Sequence, residues 1–132
     1  MLADTKTSPF LSSILSKRTG IFSPIFIDNE LVGFAGTVSH HLDLGGGNPG
    51  LAPDAVDVHA EGIIFPPSVY NFERDWNGGP LERLVAANIR VPHQTIGDFY
   101  AQFAANAIGS ERIRQLCGKY GVNLGSGKMR LI

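Results

Sequence analysis

Two runs rich in β-branched and aromatic residues, 21–27 and 31–38, stand on either side of Asp28-Asn29-Glu30. No other feature constrains the fold of this chain as strongly. Val, Ile, Thr and Phe suit a pleated, half-buried surface, and Asp-Asn suits a tight reversal, so the segment predicts a β-hairpin. The second run leads into His40-His41-Leu42-Asp43-Leu44 and then Gly45-Gly46-Gly47-Asn48-Pro49-Gly50. Neutral imidazole is the commonest protein metal ligand, and a nearby carboxylate suits a hard or borderline divalent ion. Ligands on a loop positioned by a rigid strand are a usual way to build a reactive site.

Strand alternation limits what this pair of histidines does. If the strand persists, His40 and His41 point to opposite sides, and both cannot easily bind one ion. Asp43 has two open readings: it orients an imidazole through a ring N–H, or it caps the glycine turn. Residues 45–57 hold four glycines, two prolines and two aspartates, which predicts a long ordered loop. The loop lacks the Gly-x-x-x-x-Gly-Lys-[Ser/Thr] pattern that cradles phosphates, so no nucleotide site is expected in it. Asp54, Asp57 and Glu61 form a spaced acidic group whose default reading is solvated surface.

Beyond the loop, a short strand is expected within 56–65, ended by Pro66-Pro67, and 71–79 reads as a polar connection around Trp76. Two helices close the chain. Gly79-Pro80 looks like an N-cap followed by proline in the first turn, with Leu81, Leu84, Val85 and Ile89 on one face. Pro92 marks a break, and from about Gln94 the residues Ile96, Phe99, Tyr100, Phe103 and Ala107 repeat at helical spacing. Gly109-Ser110 punctuates that run, with Ser110 an N-cap for 111–119. Arg90 offers a bidentate partner for a substrate carboxylate, with Asn88 beside it, although arginine near a helix C-terminus also has a structural use. Gln102 and Asn106 lie four apart on one face and are candidates for hydrogen bonds across subunits. The aromatic stripe reads as core, and Cys117 as a packing residue.

Composition narrows the class. With 132 residues and 43% apolar content, the chain has room for one ordinary domain. Eleven basic against twelve acidic residues give a net charge of −1, which does not favour nucleic acid or an anionic membrane. A single cysteine excludes an internal disulfide framework and a multi-cysteine zinc site, and the expected location is the cytoplasm. No apolar run approaches the roughly 18 residues of a membrane span, and residues 1–20 lack the apolar core of a signal peptide.

Several segments in one order resemble the hydantoinase B family, which includes 5-oxoprolinases and the large subunits of acetone and acetophenone carboxylases. They begin with Ser23-Pro24-Ile25-Phe26-Ile27-Asp28-Asn29-Glu30-Leu31 and the His-His segment. Gly45-Gly46-Gly47-Asn48-Pro49-Gly50, Pro53-Asp54-Ala55 and Glu61-Gly62-Ile63-Ile64-Phe65-Pro66-Pro67 follow. Leu84-Val85-Ala86-Ala87-Asn88-Ile89-Arg90-Val91-Pro92, Ile96-Gly97-Asp98 and Gln102-Phe103-Ala104-Ala105-Asn106 carry the likeness on to about Tyr120-Gly121. The resemblance implies a B-type component that acts at a divalent metal (manganese, iron or zinc) after an A-type partner has used ATP on the substrate. The reaction is ring opening of a small cyclic amide or imide, or carboxylation of a ketone-derived enol. The metal would serve as Lewis acid or as generator of hydroxide. By the same resemblance His40 is the metal ligand, while His41 and Asp43 are positioners.

The likeness is partial. Family members are several times longer and carry a His-Leu-Pro-Asp segment before the hairpin, where this chain has Leu15-Ser16-Lys17-Arg18. The resemblance therefore divides the chain into an atypical segment 1–20 (a frameshift, a mis-called start or an arm, with only a short possible helix), a partial family domain 21–121, and a divergent tail 122–132. The expected fold is α+β: hairpin, long Gly/Pro loop, short strand and C-terminal helices, as a fragment of a larger domain. With its upstream ligands missing, the chain alone is not expected to retain the metal. The competing hypothesis is a non-catalytic truncated remnant, either inert or a module that docks on the A-type partner through its C-terminal helices.

Overall fold

The computed structural model describes residues 9–15, 18–48 and 55–120. Four strands and two α-helices form an α+β arrangement: β1 Pro9–Leu15, β2 Arg18–Ile27, β3 Glu30–His40, β4 Phe65–Asn71, α1 Pro80–Asn88 and α2 Pro92–Tyr120. All pairings are antiparallel and the spatial order is β3-β2-β1-β4. The hairpin is present and longer than its apolar runs. Its two-residue turn places Asp28 and Asn29 at φ of 50° and 67°, the left-handed pair that matches strand twist. The β2–β3 register runs from Ile27↔Glu30 to Arg18↔His40, with one irregularity beside Ile25 and Phe26.

Three expectations are corrected. Pro9–Leu15 is a strand between β2 and β4, where the sequence suggests at most a short helix in an atypical segment. Its pairing with β2 is local, starting at Leu15↔Arg18, but the Ser/Thr/Lys-rich run around it masks the strand signal, and its second partner, β4, lies far along the chain. The strand expected within 56–65 lies further on, as β4, and contains Pro66 and Pro67. Prolines are tolerated there because β4 is an edge strand, and its register with β1 shifts beside them. Residues Val58–Glu61 form a 3-10 turn instead, capped by Asp57, whose carboxylate accepts the Ala60 N–H at 3.0 Å. Finally, α2 runs unbroken through Gly109-Ser110. Glycine inside a helix costs only about 1 kcal/mol, and contact of α2 with β2 and β3 outweighs that.

The core sits between α2, α1 and the sheet. Phe10, Ile21, Leu44, Trp76, Val85, Ile89 and Phe99 are its buried members. Trp76 ends a π-helical turn, Phe72–Trp76, and meets Phe99 at a ring-centroid distance of 4.6 Å. Tyr100 closes one side: its hydroxyl donates to Glu82 at 2.7 Å, and burial, with that carboxylate alongside, pushes its pKa up to about 12. The stripe of α2 facing the sheet is Thr95, Phe99, Gln102, Asn106 and Ser110, at helical spacing and mostly polar. Gln102 donates to the Thr19 carbonyl at 3.2 Å and Asn106 to the Ile21 carbonyl at 2.9 Å. The bonds expected across subunits are thus made within the chain, to β2.

Candidate functional site

Where β3 ends, the chain turns under α1 and α2 and makes a latched corner. Asp43 is 1% exposed and accepts three hydrogen bonds. They come from the Gly45 N–H at 3.0 Å, the Arg90 N–H at 2.6 Å and Arg90 Nη1 at 2.9 Å. Arg90 Nη2 reaches on to the Gly46 carbonyl at 2.7 Å. One carboxylate therefore ties the glycine turn to the segment joining the two helices. The cap role for Asp43 is the one its contacts display, and they run to Arg90 and not to an imidazole. Arg90, a candidate substrate residue by its sequence position, holds the loop with both terminal nitrogens. Asn88 bonds the Leu84 carbonyl through its side chain at 2.8 Å.

The glycines are required by close approach. Gly45 and Gly46 have φ of 87° and 81°, and a Cβ on Gly46 would sit 2.7 Å from the Glu61 carbonyl carbon. Gly62 has φ of 130°, and its Cβ would strike the Leu44 carbonyl oxygen. The loop thus lies backbone against backbone on the 3-10 turn, joined by Ile63 N–H to Leu44 O at 2.9 Å and Gly47 N–H to Ala60 O at 3.2 Å. Gly50, Pro53 and Asp54 lie outside the described residues. Asp57 caps the turn and Glu61 belongs to it.

The two histidines part company as alternation predicts. His41 is 4% exposed, stacks on Phe99 at 4.3 Å and bonds Gln102 Oε1 through Nε2 at 3.2 Å. Because the Gln102 amide nitrogen donates to Thr19, its oxygen accepts, so the network assigns the proton of His41 to Nε2. Nδ1 is then a lone pair, buried without a hydrogen-bond partner, 4.0 Å from an Asp98 carboxylate oxygen. Burial holds the His41 pKa below the ordinary imidazole value, opposed by the Gln102 bond and the Asp98 charge. Sequence patterns alone single out neither Asp98 nor Gln102 as neighbours of this imidazole. Their i, i+4 spacing on one side of α2 is the available signal.

His40 sits at the end of β3 on the outer side, exposed, with Arg18 directly across the ladder. A guanidinium at that position opposes a cation. Among the described residues no three histidine, cysteine or carboxylate side chains come together as a metal group. The described residues therefore do not by themselves fit a divalent ion. Among them no helix is long and apolar enough to cross a membrane.

Comparison with known proteins supplies the context. The family model for hydantoinase B/oxoprolinase matches residues 17–130, a span that contains the whole latched corner. An uncharacterized protein of Methanocaldococcus jannaschii is 37% identical over 86% of this chain and 20% of its own length. The putative B-type component of a D-/L-hydantoinase from Pseudomonas sp. (strain NS671) is 35% identical over 88% of this chain and 20% of its own. The beta component of the caprolactamase from Pseudomonas jessenii is 32% identical over 78% and 18%. The chain thus spans about a fifth of the length of these relatives. The crystal structure of the ATP-dependent caprolactamase from Pseudomonas jessenii shares the fold, with a TM-score of 0.68 and 24% identity over 91% of this chain and 22% of that one. With the family model matching residues 17–130 and relatives more than 30% identical over most of its length, the chain is a member of the hydantoinase B/oxoprolinase family.

Proposed function

We propose that this chain contributes part of the B-type component of an ATP-dependent hydrolase that opens small cyclic amides or imides, such as 5-oxoproline or hydantoin. An A-type partner would use ATP on the substrate. The observation that carries this reading is the family match across residues 17–130, supported by relatives named for a hydantoinase and a caprolactamase. In this reading the Asp43–Arg90 latch holds the glycine loop as a wall of the substrate cleft, and His41 braces the strand end. His40 stands at the position of one metal ligand, in a site whose other ligands lie outside the described residues.

One specific observation favours a second reading, that of a non-catalytic module: Arg18 lies across the ladder from His40. A single imidazole beside a guanidinium holds no divalent ion tightly, because affinity comes from several converging ligands. The test is to purify the chain with and without an A-type partner and dialyse it. Manganese, iron and zinc are then measured, along with ATP-dependent ring opening of 5-oxoproline, hydantoin and caprolactam. Stoichiometric metal that is lost in His40→Ala, with turnover only in the complex, supports the hydrolase reading. Absence of both from a stable complex would leave the module reading standing.

A further inference from the structure

The two edges of the sheet are built differently. β4 closes one edge with Pro66 and Pro67, which have no N–H to donate to a neighbouring strand. β3 closes the other, and its residues 31–39 include no proline and no charged side chain. The ladder to β2 shifts register once, where Ile25 faces Gly33 and Phe26 faces Leu31, so residues 33–40 form a regular run. Among the described residues no strand pairs with the far side of β3. Such an edge presents a row of free N–H and C=O groups, which proteins ordinarily blunt with charge, proline or a cover.

Charge says what fits this edge. The hairpin tip is acidic, with Asp28 and Glu30 exposed, and the other end of the same two strands is basic, with exposed Arg18 across the ladder from His40. Neither Glu30 nor Arg18 has an ion-pair partner among the described residues. The complementary neighbour is an antiparallel strand with its basic end at this tip and its acidic end at this base. A second copy turned about a two-fold axis is such a neighbour. The helix layer agrees. α2 lies over β2 and β3 together: Asn106 bonds the Ile21 carbonyl, Gln102 reaches Thr37 Oγ1 at 3.5 Å, and a Cβ on Gly109 would stand 3.8 Å from the Ala35 Cβ. With strands about 4.8 Å apart, a two-fold axis at the β3 edge sets α2 and its mate roughly 10 Å apart, an ordinary distance for packed helices. On the Gly109 side of α2, away from β2, helical spacing places Ala105 and Leu116, both exposed. Asp98 and Lys119, also exposed, lie about equally far from Gly109 in opposite directions, so they too oppose each other across the axis.

We propose that the β3 edge is a symmetric interface through which two copies of this chain join, making one continuous eight-stranded antiparallel sheet covered on one side by a pair of α2 helices. The acidic tip of each copy meets the basic end of the other, Glu30 towards Arg18, twice over. The proposal uses no residue of the Asp43–Arg90 latch and stands or falls apart from the hydrolase reading.

The test follows the mass of the full chain by sedimentation equilibrium between about 1 and 100 µM, a range that brackets a micromolar dimer. Twice the chain mass is expected at the upper end, with amide exchange in residues 33–40 slowing as concentration rises. Val38→Lys sets a charge at an exposed position of the edge strand and should return the monomer with an unchanged circular dichroism spectrum. Glu30→Lys and Arg18→Glu should each weaken the dimer about tenfold, and the double swap should restore most of the affinity. A monomer throughout the range overturns the proposal. So does a dimer that Val38→Lys leaves intact, or one whose exchange at 33–40 matches the monomer's, since the contact then lies on another face. If an A-type partner protects 33–40 while the chain alone stays monomeric, the edge belongs to that partner and the proposal fails.

Discussion

The two sides of the hairpin sheet are built by different rules. On the side facing α2, Thr19, Ile21 and His41 are buried and Gln102 and Asn106 bond the backbone of β2. On the outer side, Phe34 and Val38 are 57% and 67% exposed, Val69 on β4 is 63% exposed, and His40 and Arg18 share the end of the ladder. The covered side therefore carries stability through specific, long-range polar contacts. The outer side is apolar surface without such partners among the described residues, and stability there is expected to depend little on side-chain identity. Adjacent residues fall on the two sides, so the difference is testable one position at a time.

The largest effect is expected at the corner that locks the covered side. Asp43→Ala leaves the Arg90 and Gly45 donors unpaired and should cost about 3 kcal/mol, read as a shift in urea midpoint. A cost below about 1 kcal/mol would mean that the latch is dispensable. Next come the neighbouring histidines. His41→Ala opens a cavity on Phe99 and strands Gln102, for about 2–3 kcal/mol, whereas His40→Ala should stay within about 0.5 kcal/mol. Equal losses at the two positions would erase the distinction between the sides.

Smaller still is a pH effect at the end of β4. Asp75 accepts the Asn71 N–H at 2.7 Å and a 2.6 Å bond from Arg74, and that guanidinium, with the backbone bond, lowers its pKa from 3.8 to about 2. A depressed carboxylate pKa adds stability above 3.8 that is lost as pH falls from 3.8 through about 2. Asp75→Asn should flatten the acid limb of the stability curve in that window and change nothing at neutral pH beyond a constant offset. The smallest effect belongs to the outer side. Phe34→Ser should alter stability by no more than about 0.5 kcal/mol while raising solubility, measured by light scattering on concentration.

Much of the fold is legible because its signals are local. Asp28-Asn29 between two β runs marks the hairpin, Gly79-Pro80 marks the start of α1, and strand alternation alone separates His40 from His41. β1 is not legible, since the Ser/Thr/Lys-rich run around it masks its apolar residues and one of its two partners, β4, is distant in sequence. The continuity of α2 is hidden for a related reason. Gly109-Ser110 is a sound stop signal in isolation, and packing on the sheet overrides it. At the candidate site, Asp43 and Arg90 stand out individually but their mutual bond does not, because 47 residues separate them.

The sequence by itself therefore determined the α+β class, the hairpin, the start of α1 and the family, all of which rest on turn chemistry, periodicity and ordered motifs within short windows. Only the tertiary structure decided that Asp43 latches Arg90, that His41 leans on Gln102 beside Asp98, and that β3 stands at an edge of the sheet. Hydrogen-bond partners and sheet edges are fixed by how elements far apart in the chain pack, and a linear pattern carries no record of that distance.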